Sequence, residues 1–269
     1  KHTMSENHVL KNINHPFIVN LKYAFQTKSH LYMVIDYLNG GELFYHLTHD
    51  DYFPEPRAKL YAAEVVSALG YLHDHNILYR DLKPENLILD MHGHICLVDF
   101  GLCKVGWMPE TKTYTFCGSA EYLSPELLRG KGYGKEVDWW ALGTLIYEML
   151  SGLPPFWDED EEYMQKKIVS APLKMHKYFS AEAKDIIRQL LNRDPEQRLG
   201  SGPRGTQQIK SHPWFAEIDW AALDRRELTP HFVPHLKNEQ DLPYVEPEVL
   251  SELPALSLTT ASLHLDGDL

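Results

Sequence analysis

Tyr79-Arg80-Asp81-Leu82-Lys83-Pro84-Glu85-Asn86 is the stretch on which the reading of this sequence turns. Two short apolar segments follow, 87–89 and 95–98, joined by Met91-His92-Gly93-His94, where Gly93 tolerates the positive φ of a tight turn. Asp99-Phe100-Gly101 comes directly after. A single aspartate is ordinarily a solvated turn carboxylate, and a lone Asp-Phe-Gly arises by chance. Here an acid, a lysine and an amide stand at fixed offsets, a hairpin follows, and a second acid closes the set. Coincidence does not account for that combination. It suits phosphoryl transfer, which asks the protein for positioning more than for covalent chemistry. That chemistry needs metal ions on the phosphates, a group orienting the attacking hydroxyl, and positive charge on the moving phosphoryl.

Working outward, residues 3–12 suit a short helix that His15-Pro16 ends, because the residue before proline is pushed out of the α region. Segments 17–26 and 31–36 read as strands joined by a polar turn at 28–30. Asn39-Gly40-Gly41 breaks the chain before a helix at 42–49. Residues 57–75 place Leu60, Val65, Leu69 and Leu72 near helical spacing. From 136 onward the apolar pattern predicts helices at 136–151, 160–170, 180–192 and 206–211. Asp158–Glu162 reads as a solvated acidic helix start, favoured by the helix dipole. Beyond about 216 the chain becomes extended and proline-containing, a tail that wraps or dangles rather than a further domain.

The chain has 269 residues, 43% of them hydrophobic, enough for a large core. Its formal net charge of −12 argues against a nucleic-acid partner, whose phosphates would be repelled, and favours a basic partner or substrate. Three cysteines, Cys96, Cys103 and Cys117, are too few and too irregularly spaced for a disulfide framework or a zinc site, which fits a reducing compartment. The longest apolar run, 139–150, is too short to span a bilayer and contains Glu148, so it predicts a buried helix and no membrane span. The chain opens on Lys1 rather than methionine, so upstream sequence is expected.

Downstream of the hairpin stand Thr115-Phe116-Cys117-Gly118-Ser119-Ala120-Glu121-Tyr122, then Ser124-Pro125-Glu126, Val137-Asp138-Trp139-Trp140 and Arg198. With the catalytic-loop motif these resemble the AGC group of Ser/Thr protein kinases over about residues 3–250, similar to protein kinases A and B and nearest to the serum/glucocorticoid-regulated kinases. The resemblance implies an α/β (α+β), bilobal kinase fold. Residues 1–38 would be a remnant of the β-rich small lobe, 39–215 a complete helical large lobe, and 216–269 the C-terminal extension of the group.

It also implies roles, with ATP and Mg²⁺ as cofactors. Asp81 would accept the proton of the substrate hydroxyl, Lys83 would stand near the transferred phosphate, and Asn86 and Asp99 would hold magnesium, a hard cation that wants oxygen ligands. Glu6 would pair with the ATP-binding lysine. Ile35, Asp36, Leu38, Glu85 and Ile88 would border the nucleotide, and Leu10, Leu21, Tyr79 and Phe100 would stack as a spine. Thr115 would be the phosphosite of an upstream activating kinase, its phosphate held by Arg80 and Lys104. Ser119 would touch Asp81 and Lys83, Asp138 would brace the catalytic loop, and Glu126 would pair with Arg198. Glu42, Glu85 and Glu148 match acids that hold substrate arginines, so arginine upstream of the acceptor is expected in the protein substrates. The location implied is cytoplasmic, with the nucleus open as well.

Several features depart from the pattern. Only five residues precede Glu6, which leaves no room upstream for a glycine-rich phosphate loop or its lysine. The alternative reading is therefore a truncated, catalytically inactive kinase-like interaction module. The literal G-x-G-x-x-G at Gly200–Gly205 follows a helical segment and contains Pro203, so it reads as a surface turn and not a nucleotide site. Val245 takes the place of a phenylalanine of the family that approaches adenine, and 251–269 contains no aromatic residue for a hydrophobic motif. The histidines lack ligand clusters and read as solvated or core residues.

Overall fold

The computed structural model describes residues 6–7, 9–28, 30–108, 110–202, 204–238 and 240–245. The order of elements is β1 (Leu21–Gln26), β2 (Leu31–Ile35), α1 (Leu43–Asp50), α2 (Glu55–Asp74), β3 (Ile77–Leu78), β4 (Leu87–Leu89), β5 (Ile95–Leu97), β6 (Lys104–Val105) and α3 (Pro125–Leu128). There follow α4 (Glu136–Ser151), α5 (Glu161–Ser170), α6 (Ala181–Leu190), α7 (Thr206–Lys210) and α8 (Trp220–Asp224). The strands form three antiparallel pairs, β1–β2, β3–β6 and β4–β5, beside a mainly helical body. This is the mixed, largely large-lobe architecture that the resemblance implies.

Residues 6, 7, 9 and 10 are helical and 11–12 form a turn; residues 3–5 of the expected helix lie outside the described residues. The expected strand 17–26 divides. Residues 17–19 are drawn to β5, where Leu97 N–H donates to Phe17 and Val19 N–H donates to Leu97, and only Leu21–Gln26 pairs with β2. Phe17, Ile18 and Val19 are buried there, so burial of three apolar side chains outweighs continued pairing with β2. The two-residue strands β3 and β6 and the single turn α3 were not predicted, being too short to leave a periodic signal.

α2 begins at Glu55, two residues before the predicted start, because Pro56 falls in the first turn, where its missing N–H is not needed. α4 is buried on nearly every side, including Trp139 and Trp140 at 0% exposure, as its continuous apolar sequence requires. Full burial of each such side chain contributes about 2–3 kcal/mol. Gly143 lets α6 lie close, since a Cβ there would stand 2.8 Å from the Leu190 Cβ. α4 ends where Gly152 adopts φ 86° and donates to the Glu148 carbonyl, a left-handed cap suited to glycine. α5 and α6 open on the side-chain caps Asp160 and Ser180, which accept from the Tyr163 and Ala183 N–H groups.

The hairpin β4–β5 is fixed to α2 by the buried Glu64, which accepts from His94 Nδ1 at 2.6 Å and from the Ile95 N–H at 2.9 Å. Between 217 and 245 the tail wraps rather than dangles. Leu223 is buried, and the Arg57 guanidinium lies between the Phe53 and Phe232 rings, 4.0 Å from each centroid. The His46 ring meets both Phe232 and Tyr244, and Arg226 pairs with Asp90. Residues 246–269 lie outside the described residues.

Candidate active site

The site is organised from beneath by Asp138 on α4. This carboxylate is 1% exposed and takes three donors: the Tyr79 N–H at 3.0 Å, the Arg80 N–H at 2.8 Å and His73 Nε2 at 2.7 Å. A buried carboxylate needs such partners, and backbone N–H groups held this way cannot wander. Arg80 sits at φ 69°, sparsely populated by non-glycine residues, and the two bonds to Asp138 keep the loop in that conformation.

On this platform Asp81 is almost surrounded. Asn86 Nδ2 donates to the Asp81 carbonyl at 2.8 Å and to its Oδ2 at 2.9 Å. Ser119 Oγ donates to Oδ1 at 3.2 Å, and Lys83 Nζ stands 3.6 Å from Oδ2. With its Nδ2 committed to Asp81, Asn86 has its amide oxygen on the opposite branch. The hairpin continues from this point, since the Val98 N–H donates to the Asn86 carbonyl at 3.0 Å, and it delivers Asp99. Asp99 is exposed, sits at φ 55° and accepts from the Gly101 N–H at 2.9 Å. Glu6 faces the same place. Burial first, then the charge of Asp99, push its carboxyl above the usual range, while the Phe100 N–H opposes them. An exposed carboxylate and a nearby amide oxygen form an oxygen-donor set that fits a hard divalent cation, and the ammonium of Lys83 fits a phosphate.

Phe100 meets the Tyr79 ring edge-on at 5.5 Å, Leu10 is buried in the same core, and Leu21 packs against it. Ile35, at the end of β2, is exposed. The Asp36 carboxylate is turned to its own strand pair. Burial works against its ionisation, but Lys22 at 2.7 Å and two bonds from Asn20 hold it below the usual carboxylate range. Leu38, Glu42, Ile88, Tyr244 and Val245 share a cavity of about 360 Å³.

A second cavity, of about 400 Å³, runs from Lys83 and Ser119 to Glu85, Glu121 and Glu148. Glu148 is buried and receives the Tyr122 hydroxyl proton as a hydrogen bond. Burial pushes its carboxyl up to about 7; the Tyr122 bond pulls the other way, and Glu85 and Glu121 add to the rise. Glu42 is also raised, by burial and then by Glu85, against the pull of Lys83. The three acids singled out in the sequence thus lie about one acidic region. Glu121 and Tyr122 join them without having been assigned a role. Glu121 is one acid in a polar stretch, and no spacing rule places it beside a helix residue 27 positions on.

Thr115 is exposed, and its carbonyl accepts from the Tyr133 hydroxyl at 2.6 Å. Arg80 reaches that hydroxyl at 3.3 Å through Nη1 while its Nε donates to the Leu102 carbonyl. The structure therefore connects Arg80 to Thr115 through Tyr133. Lys104 lies exposed on β6, paired in register with Leu78. Glu126 and Arg198 form the expected buried pair, bidentate at 2.7 and 2.9 Å. The Gly200–Gly205 turn lies between α6 and α7, where the Ser201 and Gly205 N–H groups close on Arg198 and Gly202.

The sequence matches the protein kinase domain over residues 1–215. It is 53% identical over 263 residues to Protein kinase 2 of Dictyostelium discoideum, covering 97% of this chain and 54% of that protein. It is 50% identical over 258 residues to human serine/threonine-protein kinase Sgk2, covering 96% and 70% respectively. To serine/threonine-protein kinase gad8 of Schizosaccharomyces pombe it is 50% identical over 264 residues, covering 98% and 46%. The chain spans about half the length of several of these relatives.

Proposed function

Because this chain belongs to the protein kinase family, among the AGC-type Ser/Thr kinases, we propose that it carries the machinery for ATP-dependent phosphorylation of serine and threonine in proteins with arginine upstream of the acceptor. The observation that supports this most is Asp81, fixed by Asn86, Ser119 and Lys83 on a loop braced by Asp138. Bound ATP and Mg²⁺ would supply the phosphoryl group and neutralise its charge, with Asn86 and Asp99 holding the metal and Leu38 and Ile88 against the nucleotide.

In this reading Asp81 is the catalytic residue that receives the hydroxyl proton. Its Oδ1 is aligned by Ser119, and its Oδ2 lies within reach of both Asn86 and Lys83, which lowers the freedom of the carboxylate before substrate arrives. Lys83 keeps a cation beside the departing charge. Glu42, Glu85 and Glu148 would hold the guanidinium groups of a basic substrate, with Glu121 adding to their field. Phosphorylation of Thr115 by an upstream kinase would place a dianion near the Arg80–Tyr133 contact, with Lys104 the second cation. A cytoplasmic location, with access to the nucleus, belongs to the same proposal.

A second reading, an interaction module without turnover, draws on the β1–β2 pair, which exposes Tyr23 at 72% and Phe25 at 53%. Labelled-phosphate transfer to a peptide with arginine three residues before serine separates the two. Transfer that Asp81→Asn abolishes, and that falls when the arginine becomes alanine, supports the kinase reading. No transfer, together with no thermal shift on adding Mg-ATP, refutes it for this chain.

A further inference from the structure

A cavity of about 610 Å³ lies away from the catalytic cleft, among α2, α7, the start of α4 and the segment carrying Trp107. Its volume is in the range of small-molecule sites. It shares no lining residue with the two cavities beside the catalytic loop.

Three cations, Lys135, Arg204 and Lys210, border it. Among the described residues none of them has an ion pair, although the neighbouring Lys112 is paired with Glu136 and Lys59 with Glu217. The Lys135 ammonium stands over Gly205, where a Cβ would lie 3.1 Å from Nζ. Lys210 faces His15, whose ring burial drives down to about 4; Asp224 opposes that fall and Lys210 adds to it. His15 therefore contributes hydrogen bonding rather than charge at neutral pH. Two carboxylates also border the cavity, Asp74 and Asp224, and Asp224 already accepts from Ser67 Oγ at 2.5 Å, which in turn meets His15 Nε2. In a chain of net charge −12, the lysines and arginine that border this cavity outnumber its acids by three to two.

Two walls of the cavity belong to elements that set the active site. His73 holds Asp138 through Nε2 and meets the Trp139 ring edge-on at 4.8 Å, while among the described residues its Nδ1, shielded from solvent, has no hydrogen-bond partner. Trp107 donates its N–H to the Asn76 carbonyl and its indole N–H to the Thr111 carbonyl, which anchors the segment running on to Thr115.

We propose that this cavity binds a small phosphate-bearing ligand, and that its occupancy is felt by the catalytic loop through His73 and Asp138 and by the Thr115 segment through Trp107. Phosphate is the group that lysine and arginine side chains without a carboxylate partner recognise best; of the three, Lys210 also lies over the Trp220 ring, 4.8 Å from its centroid. A soluble polyol phosphate and the headgroup of a phosphoinositide share this chemistry.

Calorimetric titration of the full chain with inositol 1,4,5-trisphosphate, in magnesium-free buffer, tests the site, with vesicles containing phosphatidylinositol 4,5-bisphosphate as a parallel arm. Saturable binding is expected, weakened at least about tenfold in Lys135→Gln/Arg204→Gln and unchanged in the control Lys174→Gln/Lys177→Gln, with melting temperatures alike in all three. Saturation should also change tryptophan emission, and Trp107→Phe should remove that change. Binding of the soluble compound alone supports a free metabolite as ligand, and binding of the vesicles supports a lipid headgroup. Binding of neither, or equal affinity in both double variants, overturns the proposal.

Discussion

Replacing Asp138 by asparagine tests the platform on which the catalytic loop rests. The side chain keeps its shape but exchanges one oxygen for an NH₂ group, while its three partners, the Tyr79 N–H, the Arg80 N–H and His73 Nε2, all lie within 3.0 Å. Whichever way the amide turns, a donor faces a donor. The lost charge also weakens the bonds that remain, since hydrogen bonds to ionised acceptors are about twice as strong as neutral ones. One buried donor left without an acceptor costs about 1–3 kcal/mol, and the weakening of the others adds about 1 kcal/mol, for a total near 2–4 kcal/mol. At about 1.4 kcal/mol per factor of ten, local opening at Tyr79 and Arg80 should become roughly 30 to 700 times more frequent. Amide hydrogen exchange read at those two residues, alongside urea denaturation, measures both quantities. Because Arg80 is held at φ 69°, its relaxation should accompany the exchange. Unchanged protection at Tyr79 and Arg80, or a loss below about 1 kcal/mol in stability, would show that Asp138 does not organise the loop.

Three further outcomes follow from the geometry. Burial raises the Glu148 carboxyl to about 7, so the folded protein holds a proton there that the unfolded chain releases above about 4.5. Glu148 therefore subtracts from stability as pH rises from about 5 to 8, by on the order of 2 kcal/mol, and Glu148→Gln should flatten that part of a pH–stability curve; an unaltered slope would count against the assignment. Glu126→Gln should cost about 3–5 kcal/mol in chemical denaturation, since it leaves the fully buried Arg198 guanidinium short of its counter-charge. Gly143→Ala should cost about 1–3 kcal/mol by forcing α4 from α6, and a melting temperature equal to that of the parent would refute the close approach.

Much of the candidate site was legible in the chain because its residues are consecutive or nearly so. Asp81, Lys83 and Asn86 lie on one loop, and a short hairpin fixes how far Asp99 can stray. The long helices were legible too, since α2, α5 and α6 carry apolar side chains at a helical period and α4 holds an apolar run too long for a strand. The strands β3 and β6 were not, because two residues carry no period, and the split of 17–26 was decided by β5, a strand far along the sequence.

What the sequence determined by itself was the inventory and order of chemical groups: two acids, a lysine and an amide around a turn, an acidic surplus, and a tail with aromatic residues. Only the tertiary structure decided which distant groups act on them. It set Asp138 beneath Arg80, enclosed Glu148 with Tyr122 and Glu85, and folded Phe232 onto Arg57. The reason is that a carboxylate's strength and an arginine's partner depend on burial and on atoms a few ångströms away, and spacing along the chain does not specify which atoms those are.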